Sequence, residues 1–280
     1  MLPPPDPLPT EFAEALEAAR SRFGSLGRRI RFHSTIGSTN DVAAALVGAG
    51  AGEGVVVIAD AQTAGRGRRG RSWFSPAGSG LYVSVVLTPG RAVDDAQRVT
   101  ALVTLGAGVA LAEAVQAATG LAPDIKWPND LLVGRRKLAG ILAETVAWPA
   151  ADEAHAGAGG PQVVLGFGLN VSAAVCPPEL RDRITSLESE LGRPVDRALV
   201  CAEAIAALSR RYEDLMAGRF DAILDDWRRR APGSHGARVR WDGAGSPMAG
   251  VTAGVDDRGA LLVQTGDTIR RVVAGEVLWD

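Results

Sequence analysis

The chain has 280 residues, room for one large domain and a small one. It is 46% hydrophobic and 22% charged, the composition of a globular protein with a true core. Its net charge of −2, from 30 basic and 32 acidic residues, argues against a whole-protein nucleic-acid footprint and leaves room for a local basic patch.

Residues 1–10 are proline-rich and read as disordered. They lack the basic-then-apolar order of a secretory signal. Residues 11–23 read as a short helix and 29–33 as a strand. Ser38, Thr39, Asn40 and Asp41 open an Ala-rich helix, with hydroxyls available as caps. Residues 54–59 and 80–87 are Val/Ile-rich strands, separated by a glycine–arginine loop. A long Ala/Leu/Val helix follows over 99–119, and no apolar run approaches the roughly 18–20 residues of a membrane span. Residues 125–127 enter a turn at Pro128-Asn129-Asp130, 131–133 lead to a second turn at Gly134, and 137–146 and 163–171 are strands. The Ala/Gly/Pro stretch 148–161 reads as a flexible loop. Helices are predicted over 198–218 and 222–230. After Pro232-Gly233 come short strands at 237–241, 248–255, 260–264 and 269–273, the texture of a small β-barrel. The implied division is a flexible segment with a short helix (1–28), a large domain (29–232) and a small β domain (233–280). Cys176 and Cys201 have no metal-type spacing and read as reduced thiols of a cytosolic protein.

Only two of the basic residues are lysines, Lys126 and Lys137, and the only asparagines are Asn40, Asn129 and Asn170. In a chain whose composition favours arginine, a surviving lysine marks a place where a compact ammonium is needed, or survives by chance.

The loop from Gln62 through Gly65-Arg66-Gly67-Arg68-Arg69-Gly70-Arg71 contains GxGxxG after a strand. A dinucleotide site needs a helix next and an acidic ribose partner about 20 residues on, whereas this loop runs through Trp73 into another strand. Arginine forks on glycine hinges suit a grasped anion, and a solvated basic loop or a nucleic-acid contact has the same composition. Lys126, beside a rigid turn, can neutralise a carboxylate and a phosphate together, or is a plain surface lysine. Alternating glycines at 166 and 168 allow a ligand to approach the sheet, with the Asn170 amide free to read a base edge; a β-bulge with an Asx turn is the other reading. Ser38, Thr39 and Asn40 serve equally as helix caps or as a ligand headgroup site. The histidines His33, His155 and His235 are scattered and compose neither a zinc site nor a triad.

Taken in order, Ser38-Thr39-Asn40, Gln62 with the 65–71 loop, Trp73, Lys126-Trp127-Pro128-Asn129-Asp130-Leu131, the Arg-Lys-Leu-Ala-Gly-Ile-Leu run at 136–142 and Gly166-Phe167-Gly168-Leu169-Asn170 resemble the biotin–protein ligases over about residues 29–280. The resemblance implies an α+β fold, a mixed or antiparallel sheet with helices packed on it, plus a small SH3-like C-terminal β-barrel. It implies an ATP-dependent ligase that forms biotinyl-5′-AMP and transfers biotin to a lysine of the biotin carboxyl carrier protein of acyl-CoA carboxylases, with Mg2+ accompanying ATP. By motif match, Ser38, Thr39, Asn40 and Gln62 would hold biotin, and Arg66, Gly67 and Arg68 would close over biotin and phosphates. Lys126 and Arg68 would be catalytic, with Lys126 touching both substrates. Arg66, Arg68, Arg71, Trp73, Lys126 and Asn170 would contact ATP or the adenylate, and Lys137 and Gly140 would line or support the biotin pocket. Some members carry an N-terminal helix-turn-helix and double as repressors; residues 1–28 are too few for that domain, so neither nucleic acid nor membrane is an expected partner, and the expected location is cytoplasmic. The competing readings are lipoyl or octanoyl transfer on the same fold, and a biotin-sensing DNA-binding regulator.

Overall fold

The period-two hydrophobic pattern of the valine-rich strands sorts side chains onto two faces, and both faces are covered. In the computed structural model, which describes residues 2–92, 94–146, 162–172, 180, 182–243 and 246–279, β2 (Val55–Gln62) sends Val56 and Ile58 into one apolar cluster and Val55, Val57 and Ala59 into another. β3 (Gly80–Leu87) divides in the same way, Leu81, Val83 and Val85 against Tyr82 and Val86. Strands apolar on both faces belong between two layers of helices.

The larger sheet has the order β1-β2-β3-β7-β6-β5-β4, with β1 (Arg29–Ile36) parallel to β2 and the other neighbours antiparallel. Its remaining strands are β4 (Asp124–Lys126), β5 (Asp130–Val133), β6 (Arg136–Val146) and β7 (Gln162–Asn170). One face is covered by α1 (Thr10–Ala18), α3 (Ala96–Thr119), α5 (Arg197–Met216) and α6 (Phe220–Arg230). The other carries α2 (Thr39–Gly48), the crossover between β1 and β2. The short α4 (Leu187–Leu191), absent from the sequence expectations, begins after Ser186, whose hydroxyl accepts from the Ser189 amide. A second, five-stranded antiparallel sheet has the order β11-β10-β9-β8-β12, from β8 (His235–Gly243), β9 (Ser246–Val255), β10 (Leu261–Thr265), β11 (Thr268–Val272) and β12 (Val277–Trp279). The α+β class and the separate C-terminal β module are as expected; β12 went unforeseen because three residues are too few to show a period.

Three expectations are corrected. The proline-rich start is not free: the Asp6 amide donates to Phe32 O at 2.8 Å, its carboxylate accepts from the Ser34 amide at 2.7 Å, and Phe12 and Leu16 of α1 are buried. The predicted 11–23 helix ends at Ala18, with a tighter turn at Arg20–Arg22. And α3 is long and apolar enough to span a membrane by composition, with a mean hydropathy of 1.6 over 18 residues, yet 67% of that window is buried inside the fold. Asp95 caps α3 by accepting from the Arg98 amide at 2.8 Å, and Gly120 in the left-handed region (φ 83°) ends it. The stretch 148–161 and Cys176 lie outside the described residues; Cys201 is a buried free thiol.

Candidate active site

Gly166, Gly168 and Asn170 fall two apart on β7, so they share one face, opposite the apolar Leu165, Phe167 and Leu169. The glycines create a floor. A Cβ at Gly166 would overlap Asn40 Oδ1, and one at Gly168 would overlap the Trp73 indole. Above this floor opens a cleft of about 1040 Å³. Every residue to which the motif match gives a role lines it: Ser38, Thr39, Asn40, Gln62, Arg66, Gly67, Arg68, Arg71, Trp73, Lys126 and Asn170, with Lys137 and Gly140. The five composition leads, including Asn129, do so as well.

At one end the start of α2 is tied to β2. Gln62 Oε1 accepts from the Thr39 amide at 2.8 Å and its hydroxyl at 3.2 Å, while Gln62 Nε2 donates to Ser75 Oγ at 3.0 Å. Buried Ser84 on β3 places its hydroxyl 2.8 Å from Thr39 Oγ1 and donates to Asn40 Oδ1 at 2.6 Å. Ser38 occupies the N-cap position but makes no side-chain cap bond. The plain capping role is therefore not what Ser38 performs: its buried hydroxyl lines the cleft.

The glycine–arginine loop bridges this end to the C-terminal module. Arg66 lies 2.8 Å from Asp41 and 2.7 Å from Glu144. Arg71 is ion-paired to Glu276, which lies between β11 and β12, and that contact holds the Glu276 carboxyl below its ordinary value. Between these anchored arginines, Arg68 donates to the neutral Asn129 Oδ1 at 3.1 Å, and among the described residues it has no carboxylate within ion-pair distance. Burial pushes its guanidinium value down against the pull of Asp130, but a guanidinium stays charged. A half-desolvated cation with only a neutral partner is suited to an incoming anion. Arg69, at φ 59°, is the one non-glycine residue of positive φ among those described, and it turns the loop.

Lys126 ends β4, at a hairpin built by a cis Trp127–Pro128 peptide and held by Trp127 Nε1 donating to Gly259 O at 2.9 Å. Its ammonium is partly buried, and burial lowers its pKa, opposed by Asp130. Asp130 itself pairs with Lys137 at 2.7 Å, leaving Lys126 without a carboxylate of its own within ion-pair distance among the described residues. Lys137 lies 5.3 Å from the centroid of the Trp73 ring. Asn170 Nδ2 donates to Thr185 O at 3.0 Å, and β7 keeps register with β3 through Asn170 and with β6 through Leu169, so the bulge reading of 166–170 falls.

Sequence reasoning missed Ser84, Glu144 and Glu276. Ser84 carried one signal, a lone hydroxyl in an apolar strand; Glu144 and Glu276 carried none, since their partners are distant in the chain. Among the described residues no cluster of His, Cys, Asp and Glu could hold a resident metal. A divalent cation here would arrive with a nucleotide's phosphates, as Mg2+ commonly does.

Residues 34–160 match the model of the biotin/lipoate A/B protein ligase family, and residues 244–278 that of the biotin protein ligase C-terminal domain. The biotin–[acetyl-CoA-carboxylase] ligase of Mycobacterium tuberculosis is 34% identical over 260 residues, 91% of this chain and 90% of that protein. The bifunctional ligase/repressor BirA of Bacillus subtilis is 34% identical over 268 residues, 94% of this chain and 78% of that one. The biotin protein ligase of Aquifex aeolicus, solved with biotin and ATP, has the same fold with a TM-score of 0.74 and 26% identity, covering 90% of this chain and 99% of that one. Shared sequence across nearly the whole length, a shared fold and the motif residues gathered in one cleft lead to one conclusion: the chain is a ligase that belongs to the biotin protein ligase family.

Proposed function

We propose that this enzyme joins biotin to ATP as biotinyl-5′-AMP and then biotinylates a lysine of the biotin carboxyl carrier protein of acyl-CoA carboxylases. The observation that carries the proposal is the convergence of Ser38–Asn40, the arginine loop and Lys126 in one cleft, large enough for two small substrates side by side. In this reading Ser38, Thr39, Asn40 and Gln62 hold the biotin end, with Lys137 and Gly140 supporting the pocket. Arg66, Gly67 and Arg68 close over it. Arg71, Trp73 and Asn170 serve the nucleotide, and MgATP is the second substrate. A biotin carboxylate oxygen attacks the α-phosphorus and pyrophosphate leaves. The Lys126 ammonium and the Arg68 guanidinium stabilise the charge gathering on the α-phosphate. The carrier amine then attacks the carbonyl carbon of the mixed anhydride and AMP leaves. We assign the catalytic domain to residues 29–232 and the C-terminal β domain to 233–280, and the working compartment to the cytoplasm.

The experiment is pyrophosphate release with biotin and ATP, each alone and together, with lipoic acid as the competing substrate, followed by mass analysis of an added biotin carboxyl carrier domain. Release that requires both biotin and ATP, and a biotin-sized mass gain on one carrier lysine, are expected. Lipoyl-AMP in place of biotinyl-AMP overturns the reading.

A further inference from the structure

Glu144 sits on β6, on the same face as Gly140, outside the motifs that define the cleft. Its Oε2 accepts from Asn40 Nδ2 at 2.7 Å and from Arg66 Nη2 at 2.7 Å. These donors belong to different parts of the site. Asn40 lies in the first turn of α2, buried at 4% exposure. Arg66 belongs to the loop.

The consequences differ for the two donors. Asn40 has its amide fixed at both ends, Oδ1 by the Ser84 hydroxyl and Nδ2 by Glu144, and its orientation follows from that pair of contacts. Its Oδ1 lies against β7 in the space that a Cβ at Gly166 would fill. Arg66 is held by Glu144 and Asp41 together. Asp41 is the more exposed acid, with 57% of its side chain accessible against 35% for Glu144. Exposed ion pairs contribute little, so the Glu144 contact is the firmer of the two.

We infer that Glu144 is a positioning residue that registers the arginine loop against the Ser38–Asn40 turn, coupling capture of the acid substrate to retention of the adenylate through one carboxylate. The inference rests on the biotin-ligase reading for its substrates, but not for its geometry. Glu144 touches no substrate in this arrangement; it acts through Asn40 on one side and Arg66 on the other.

The test compares the unchanged protein with Glu144→Ala and Glu144→Gln in KM for biotin, release rate of biotinyl-AMP, and amide hydrogen exchange over 65–71 without ligand. Glu144→Ala removes both contacts, and KM for biotin and adenylate release each rise about tenfold. Glu144→Gln retains a carbonyl that accepts from Asn40 but loses the charge that holds Arg66; KM for biotin stays within about twofold while release still rises about tenfold. In both variants the loop amides exchange faster, and Glu144→Gln, which keeps an acceptor for the buried Asn40 amide, leaves the melting temperature unchanged. Equal losses in all readouts together with a lowered melting temperature would make Glu144 merely structural and overturn the inference. So would loop exchange indistinguishable from that of the unchanged protein. If the unchanged protein makes no adenylate from biotin and ATP, the functional reading fails, and hydrogen exchange alone decides the role of Glu144.

Discussion

Lys126 Nζ stands 5.8 Å from the centroid of the Trp279 ring, so an ammonium that lines the cleft is faced by a side chain more than 150 residues away, in the last strand of the C-terminal β module. The small module is thereby a wall of the cleft. Gly275 to Leu278 also line the cleft, and Glu276 grips the loop through Arg71.

For Lys126 the expected outcome of substitution is severe. Lys126→Ala should lower adenylate formation by about 10²–10³, the scale for removing one preorganised charge at a reacting centre. Lys126→Arg should not restore it, since a planar fork does not reproduce the point charge of a compact ammonium. Burial lowers the pKa of this lysine, so its charge is lost as pH rises through a value below the ordinary lysine range of about 10.4. The rate of adenylate formation should therefore fall on the alkaline side earlier than for an exposed lysine, and a pH–rate profile of the isolated first step measures this.

The glycine floor gives a steric prediction. Gly166→Ala drives a methyl group into Asn40, and Gly168→Ala drives one into Trp73. Overpacking of this kind costs about 1–3 kcal/mol, readable by denaturant unfolding. The kinetic effects should separate. Gly166→Ala raises KM for biotin about tenfold or more, if Asn40 holds the biotin end as proposed. Gly168→Ala acts on KM for ATP, if Trp73 serves the nucleotide.

Glu276→Gln should leave stability within about 1 kcal/mol, because its pair with Arg71 is solvent-exposed. Its effect belongs to the loop, measured as faster release of biotinyl-AMP. The hydrogen bond from Arg71 lowers the Glu276 pKa. The contact is therefore present above the unfolded glutamate value of about 4.3 and is lost as pH falls through the lower folded value. Protection of 65–71 from hydrogen exchange should weaken over that acid window.

Trp127→Phe keeps one aromatic ring, loses the packing of the other and removes the buried donor to Gly259 O. The cost should be about 1–3 kcal/mol, since a buried carbonyl is left unsatisfied. The loss should appear as loosened attachment of the C-terminal module, seen as earlier proteolysis between Pro232 and His235 than within the larger sheet.

What could be read from the chain alone was what repeats locally. Valine-rich strands such as β2 and β3 announced themselves by composition and period, and α3 by length. The cleft lining was legible where rare residue types gather, as with Lys126, Asn40 and Asn170. The site was not legible where a common residue serves through a distant partner. Glu144 and Glu276 look like ordinary acids until Arg66 and Arg71 are brought to them, and the proline-rich start looks like a tail until Asp6 meets β1. Composition does not encode such pairings.

That last contact bears on the behaviour of the protein at high concentration. An edge strand presents unpaired amides and carbonyls on which another chain can build. On β1 the Phe32 carbonyl and the Ser34 amide are already taken by Asp6. Pro3, Pro4, Pro5, Pro7 and Pro9 flank that residue and have no amide hydrogen to offer a further strand. The opposite edge, β4, is only three residues long. One margin of the larger sheet is partly covered by a segment that cannot propagate a ladder and the other is nearly too short to start one, so this sheet offers little purchase for the edge-to-edge stacking from which β-rich aggregates grow.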